Sequence, residues 1–193
     1  MSTNNAVNVG LSGATGTGNF VGANTPTLIT PVLGAATATS IVFNPTTSGI
    51  IGTTTNDSAS AGKVGEVISS YITVSNQVSL TNGIASNITS ISLTAGDWDV
   101  SGSIWIAAAS GTTMSAILGG ISQTSGNVSG SVGEGQSSIE LRLTFTVSTT
   151  QILPVNSARI LLSGTTTVYL VGLALFAVST CTAYGSIYAR RMR

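Results

Sequence analysis

Charged side chains are so scarce in this chain that its surface cannot be that of an ordinary soluble domain. Its 193 residues include six Lys and Arg, six Asp and Glu and no His, so 6% are charged, whereas about 25% is usual. A formal net charge of zero also leaves little repulsion between copies of the chain. We therefore expect much of the folded surface to be buried against neighbouring molecules, above all against copies of the same chain.

The regular pattern of short apolar runs from Lys63 onward predicts an all-β fold. Ile, Val and Thr are frequent there, as strands prefer, and segments such as Ser86–Leu93 alternate with period two. Turn sequences separate the runs, and strands of this spacing without a helical pattern favour a jelly-roll-like β-sandwich. The predicted strands are Glu66–Val74, Gln77–Leu80, Ser86–Leu93, Trp98–Ala108, Thr113–Ser122, Ser138–Val147, Ala158–Ser163, Thr166–Ser179 and Ala183–Arg190.

Residues 1–60 differ in composition from the rest of the chain. They are rich in Gly, Thr, Asn and Ala, contain three of the four prolines and carry one charge, Asp57. No apolar piece in them is long enough to build a core. We expect an extended N-terminal arm over residues 1–60, either a triple-stranded shaft or a flexible tether, followed by a β-sandwich domain over residues 61–193.

The residue types that most enzymes and metal sites use are missing. Without His there is no histidine base for a hydrolase triad, and a single cysteine, Cys181, allows neither an intrachain disulfide nor a Cys-based zinc cage. The apolar run Val168–Val178 is shorter than a membrane helix, and the N-terminus lacks signal-peptide features. We expect no catalytic residue, metal, cofactor, membrane insertion or Sec-type export.

Two acidic residues in the sequence stand on either side of a tryptophan. Asp97 and Asp99 flank Trp98 and would project to one side of a strand. They could bind a sugar or a calcium ion, or act as a glycosidase pair. The interpretation that we favour is structural, with Asp97 in a turn and Asp99 as a charge on a strand edge.

Two predicted strands, Trp98–Ala108 and Thr166–Ser179, carry apolar residues on both faces. One face can fill the core of a sandwich, and the other then needs cover, which a second copy would supply. A closed homotrimer is the hypothesis that follows. The candidate interface residues are Trp98, Trp105, Tyr169, Leu173 and Phe176, and the two tryptophans fit core or interface positions better than a ligand platform.

Two further segments suggest contacts with other molecules. The Gly- and Ser-rich stretch Ser125–Ser137 predicts a long loop that could face a receptor. Arg190, Arg191 and Arg193 could reach nucleic acid, but we expect them instead to pair locally with acidic residues. The candidate receptor-facing residues of the loop are Ser125, Asn127, Ser131, Glu134 and Gln136.

Most of the chain from residue 16 onward resembles fibre proteins of tailed bacteriophages. The resemblance lies in the order of several segments along one chain rather than in any one of them. These segments are GTGNFVGANTPTLITPVLGAATATSI (16–41), GTTTNDSASAGKVGEVISS (52–70), LTAGDWDVSGSI (93–104), TTTVYLVGLALFAVST (165–180) and AYGSIYARRMR (183–193).

The resemblance implies a non-enzymatic structural protein of the virion, made in the bacterial cytoplasm and trimeric in the particle. Its N-terminal arm would attach to tail or capsid proteins, with Asn8, Leu11 and Phe20 as candidate anchor residues. Its C-terminal domain would face outward and contact the host, with surface glycan as a possible ligand. Because the chain is short, the alternative is a head fibre or capsid decoration protein without receptor binding.

Overall fold

A computed structural model describes the backbone of residues 54–128, 137–147 and 149–193, and the side chains of the same ranges except residues 143–147. Within these ranges the chain forms nine β-strands, one 3-10 turn at Val74–Asn76 and no α-helix. The prediction of an all-β fold is confirmed. The strands are β1 (Val67–Ile72), β2 (Val78–Leu80), β3 (Ser86–Leu93), β4 (Gly96–Ala108), β5 (Thr112–Ser122), β6 (Ser137–Val147), β7 (Thr150–Leu162), β8 (Thr166–Ala177) and β9 (Cys181–Arg191).

The strands form two antiparallel sheets with jelly-roll connectivity. The first sheet has the order β1-β9-β4-β7, with β2 also paired to β9, and the second has the order β3-β8-β5-β6. Each strand pair encloses the next one along the chain: β5 pairs with β6, β4 with β7, β3 with β8 and β1 with β9. A long hairpin folded over itself gives this order, which is the two-Greek-key arrangement of a jelly roll.

The hydrophobic core lies between the two sheets and explains the period-two pattern of the sequence. Alternate residues of each strand point inward, as in β9, where Ala183, Ile187 and Ala189 are fully buried. The core requires no charged side chain at its centre, which suits a chain with so few. Its largest fully buried side chains include Trp98, Leu93, Ile104, Ile106, Met114, Ile117, Ile121, Ile160, Leu170 and Ile187.

Most predicted strand bounds lie within two residues of those observed, and the differences at β7 and β8 have a physical cause. β7 begins at Thr150, eight residues before the predicted start, because Pro154 and several exposed polar residues hide its alternation. β7 pairs only with β4 among the described strands, and a strand with a free edge tolerates proline. β8 ends at Ala177 rather than at Ser179, since the next two residues have positive φ and leave the extended conformation.

The sandwich has two distinct ends. At the end that we call proximal, β1 begins, β9 ends, and two short connections link β3 to β4 and β7 to β8. At the distal end, residues 73–77, 109–111 and 178–180 connect strands, and there β6 ends and β7 begins. The predicted arm over residues 1–60 lies outside the described residues, apart from its last seven, and remains a prediction.

Candidate interaction surface

The outer face of the first sheet carries a cluster of large aromatic and aliphatic side chains. Trp105 on β4 lies directly opposite Tyr184 on β9 and Ile152 on β7, so three neighbouring strands contribute one row of side chains. The rings of Trp105 and Tyr184 are stacked, with centroids 5.7 Å apart and planes 13° from parallel. Tyr71, which is paired with Ser186, and Tyr188 lie on the same face, and the hydroxyl pair Ser103–Ser186 separates Tyr188 from Tyr184. We call Trp105, Tyr184, Ile152, Tyr71 and Tyr188 the aromatic face.

The aromatic face is open to solvent in the single chain. Tyr71 is 72% exposed and Ile152 59% exposed, although apolar side chains of this size are usually covered. An open groove of about 350 Å³ runs between Tyr71, Val74 and the stacked Trp105–Tyr184 pair. No charged side chain lines the groove. A flat, uncharged, apolar surface of this kind is suited to a packing contact.

A second cluster of side chains occupies the proximal end around Arg191, the last residue of β9. We call Arg191 and its hydrogen-bond partners Glu66, Thr94 and Ala95 the clamp. The Arg191 side chain is 5% exposed, and its Nε donates to Glu66 Oε2 at 2.8 Å. Its two terminal nitrogens donate to the Ala95 carbonyl at 2.9 Å and to Thr94 Oγ1 at 2.6 Å. The guanidinium also lies 4.2 Å from the ring centroid of Trp98, a cation–π contact.

The clamp keeps the Glu66 carboxyl group ionised. The Arg191 hydrogen bond, together with the N–H of Gly62 at 2.8 Å, lowers the pKa of Glu66 from its ordinary value, against the opposing effect of burial. Glu66 is therefore ionised at neutral pH. The clamp joins the segment before β1 to the end of β9 and to the β3–β4 connection.

Asp97 is held by two arginines. Arg159 donates to both carboxylate oxygens, at 2.9 and 2.8 Å, and Arg193 lies 2.9 Å from one of them. The bidentate Arg159 bond is the main reason that the pKa of Asp97 is lowered. The prediction that the C-terminal arginines pair locally with acidic residues is confirmed for Arg191 and Arg193.

The structural interpretation of Asp97 and Asp99 needs correction. Both residues belong to β4, which lies between β9 and β7 in the sheet, so Asp99 is not at a strand edge and Asp97 is not in a turn. Asp99 is paired in register with Arg190 and Arg159 on the two neighbouring strands. The acids are part of a charge cluster at the proximal end.

Glu140, another acidic residue of the domain, does not share a site with Asp97 and Asp99. Asp97 and Asp99 belong to the first sheet, whereas Glu140 belongs to β6 in the second sheet and pairs with Arg142. Stacked sheets are about 10 Å apart, and the core lies between them. Among the described residues no group of three or more His, Cys, Asp or Glu side chains could hold a metal ion.

The predicted interface residues fall into three environments. Trp98 has no exposed surface and belongs to the interior, and Phe176 is partly buried against the core. Trp105 is part of the aromatic face. Tyr169 and Leu173 are half-buried on the outer face of β8, in the other sheet. The sequence could not separate these environments, because strand alternation does not say which face is inner.

The predicted receptor loop is only partly described. Asn87 Nδ2 donates to Ser125 Oγ at 2.7 Å, and the N–H of Gly126 donates to Asn87 Oδ1 at 2.8 Å, so the beginning of the loop, through Asn127, lies against β3. This loop leaves β5 at Ser122, which is paired with Tyr169 in the proximal half of β8. Ser131, Glu134, Gln136 and the candidate anchors Asn8, Leu11 and Phe20 lie outside the described residues.

Comparisons with known proteins show similarity to viral particles. No family model and no curated protein matches the chain. The structure is similar to a chain of the T13 infectious bursal disease virus particle, with a TM-score of 0.44, 13% identity and coverage of 66% of this chain and 31% of that one. For the Gx strain the TM-score is 0.44 at 15% identity, with 75% of this chain and 37% of that chain covered.

The Gt strain of infectious bursal disease virus is also similar, with a TM-score of 0.40, 14% identity and coverage of 75% of this chain and 38% of that one. The present chain thus spans about a third of the length of the solved chains that it matches. Within the part of the chain that the structure describes, no helix is long and apolar enough to span a membrane.

Proposed function

We propose that this chain is a structural protein of a bacteriophage virion, a short homotrimeric tail fibre. Residues 1–60 attach it to other virion proteins, and the sandwich faces outward to contact the host surface. The observation that carries the proposal is the aromatic face, which a single chain leaves in water. The jelly-roll fold and the order of fibre-like segments along the sequence support it.

The size of the aromatic face is sufficient for the centre of a subunit interface. Aromatic side chains contribute about 150–250 Å² each when buried. With the exposures of Tyr71, Ile152 and Tyr188, the face offers on the order of 400 Å², about half of the ~800 Å² that each partner supplies in a standard interface. Polar residues around it would form the rim.

Ile152→Lys tests self-association with little risk to the fold, because the Ile152 side chain is 59% exposed and β4 is the only described strand that pairs with β7. We expect the wild type to be a trimer by native mass spectrometry and light scattering, and Ile152→Lys to be a folded monomer. Val64→Lys is the matched control, since Val64 is 67% exposed but precedes β1, and we expect it to remain trimeric. A monomeric wild type at micromolar concentration would refute the trimer.

The position on the particle is a separate question. The alternative to a tail fibre is a head fibre or capsid decoration protein without receptor binding, which needs the same arm and the same sandwich. Electron microscopy of particles labelled with an antibody to the sandwich domain distinguishes the two. Label at the tail supports the fibre, whereas label spread over the capsid favours the alternative.

We propose no enzymatic activity. Asp97 is neutralised by Arg159 and Arg193, and Glu140 lies on the other sheet, so no carboxylate pair is placed for glycosidase chemistry. Incubation of the wild type with host-surface glycan tests this directly, and release of oligosaccharide that is lost in Asp97→Asn would contradict it. A role in nucleic-acid binding is disfavoured, since Arg191 and Arg193 are engaged within the chain.

A further inference from the structure

The sequence contains one Asn-Gly pair, Asn82–Gly83, which lies between β2 and β3. Asparagine is a chemically labile residue, and it loses its side-chain amide most readily before glycine, because no side chain there shields the backbone nitrogen. Both residues are exposed in the folded domain. Exposure alone therefore predicts a reactive site.

Asn82 and Gly83 are the two central residues of a β-turn. The N–H of Ile84 donates to the Thr81 carbonyl at 3.0 Å, which closes the turn. Gly83 has a φ of 73°, whereas the φ of Asn82 is not positive. This combination is that of a type II turn, which favours glycine at its second central position. The turn therefore accounts for the glycine that makes Asn82 labile.

Two hydrogen bonds hold the turn against β8. The N–H of Gly83 donates to the Ala174 carbonyl at 2.9 Å, and the N–H of Phe176 donates to Asn82 Oδ1 at 2.8 Å. Since β3 pairs with β8 from Ser86 onward, the turn continues that ladder along the same edge of β8. The two groups that would react with each other, the Gly83 nitrogen and the Asn82 amide, are thus each bonded to β8.

We propose that Asn82 is a modification site that the fold keeps unreactive, and that it deamidates when the turn leaves β8. In this reaction the backbone nitrogen of Gly83 gives up its proton and forms a bond to Cγ of Asn82. The bond from Cγ to the side-chain nitrogen breaks, ammonia leaves, and a five-membered succinimide results. Water then opens the ring at either carbonyl, which leaves aspartate or isoaspartate with no change of oxidation state.

The Gly83 bond is the one that prevents the reaction. While its N–H is bonded to the Ala174 carbonyl, the nitrogen neither loses its proton nor turns toward Cγ. Ala174 has no exposed surface, so its carbonyl is held in place by the core. The Phe176 bond acts in the opposite direction, because a donor at Oδ1 stabilises the negative charge that develops there during attack. Protection therefore depends on the turn staying on β8, since the Asn82 side chain itself is exposed.

The products differ from the original turn in charge and in length. Residues 73–85 contain no charged side chain, and either product introduces a carboxylate there. Aspartate still accepts the Phe176 N–H, whereas isoaspartate carries the main chain through the former side chain and adds a methylene group before Gly83. The Gly83 N–H then loses its register with the Ala174 carbonyl. We expect chains that become isoaspartyl while unfolded to refold without this bond.

Deamidation of the full chain, followed in native buffer and in denaturant at the same mildly alkaline pH, tests the proposal. Mass spectrometry of proteolytic fragments reports each asparagine separately. We expect Asn82 to react at least about tenfold more slowly in the native protein, because only molecules with an open turn react. Asn87, which isoleucine follows, is the internal control and should stay unmodified in both conditions. Asn82→Gln should also stay unmodified in denaturant, because its longer side chain would have to form a six-membered ring.

Two kinds of result would contradict the proposal. Equal rates at Asn82 in native buffer and in denaturant would overturn the protective role of the Gly83 bond. An unmodified Asn82 in denaturant, or Asn87 reacting there as fast as Asn82, would overturn the assignment of the site. None of these results affects whether the chain is a trimer of the virion. The proposed function instead fails if purified virions lack the chain, whatever the deamidation rates are.

Discussion

Replacing Arg191 by Met removes the charge that fastens both termini of the sandwich. Met has a similar length and no polar group, so the volume beside Trp98 stays filled. The variant loses the bonds to Glu66, Thr94 and Ala95 and the cation–π contact. It also leaves the Glu66 carboxylate, which is 7% exposed, without its main partner.

The expected loss in the free energy of unfolding follows from the buried Glu66 carboxylate that the substitution leaves without its arginine. Breaking a buried ion pair by removing one partner costs about 3–5 kcal/mol, because the remaining charge stays buried and uncompensated. Glu66 keeps the N–H of Gly62, so the lower end of the range, about 3 kcal/mol, applies here. For a domain of this size that corresponds to a Tm lower by roughly 10 °C.

A double-mutant cycle with Glu66→Gln measures the coupling by thermal unfolding at fixed protein concentration. The double variant should recover much of the loss, since both charges are then absent. Arg193→Met is the matched control. Arg193 also forms an ion pair, but its side chain is 73% exposed, and pairs at the surface contribute little. We expect a small change in Tm for this control.

The pH dependence provides an independent measurement. Because the pKa of folded Glu66 is lowered, its contribution is complete above pH 4.5, the ordinary value, and is lost as the pH falls through the folded pKa. Arg191→Met should flatten this acid dependence. Equal Tm losses for Arg191→Met and Arg193→Met, with unchanged acid sensitivity, would refute the assignment of a stabilising clamp.

Three other predictions concern single positions. Gly185→Ala should prevent native folding, because a Cβ there would collide with the Ser103 carbonyl oxygen on the adjacent strand; Gly164→Ala, which has open space, should fold normally, and expression as soluble protein compares them. Cys181 is buried and its pKa is raised to about 11, so it should react with a thiol reagent only in denaturant; fast reaction of the native protein would contradict this. Val178→Asn should raise stability by about 1 kcal/mol by relieving strain at positive φ, measured by denaturant unfolding; a lower stability would show that the turn is not strained.

The bounds of a strand could be predicted from the sequence where only one face of that strand is buried. In β3 and β9 apolar and polar residues alternate, and the predicted bounds lie within two residues of those observed. β7 was largely missed because Pro154 and several polar residues interrupt its pattern. Only the pairing with β4 shows why a proline is compatible with that strand.

The candidate surface was less predictable, because it depends on which strands become neighbours. Trp105 could be identified as a residue needing cover, but its partners Tyr184 and Ile152 are 79 and 47 positions away and meet it only through the sheet order. The same limitation applies to Trp98. The sequence does not show that Arg191, 93 positions further along the chain, lies over the Trp98 ring.

The folded domain shows where the few charged side chains are used. If the few charges served solubility, they would be spread over the surface. Apart from the exposed Glu140–Arg142 pair on β6, the described ion pairs are instead concentrated where β1 begins and β9 ends, in Glu66–Arg191, Asp97–Arg159 and Asp97–Arg193. Glu66–Arg191 joins the segment that precedes β1 to β9, and Asp97–Arg193 joins β4 to the residues that follow β9. Charge therefore stabilises the end of the sandwich at which β1 begins and β9 ends. No charged side chain lines the groove of the aromatic face.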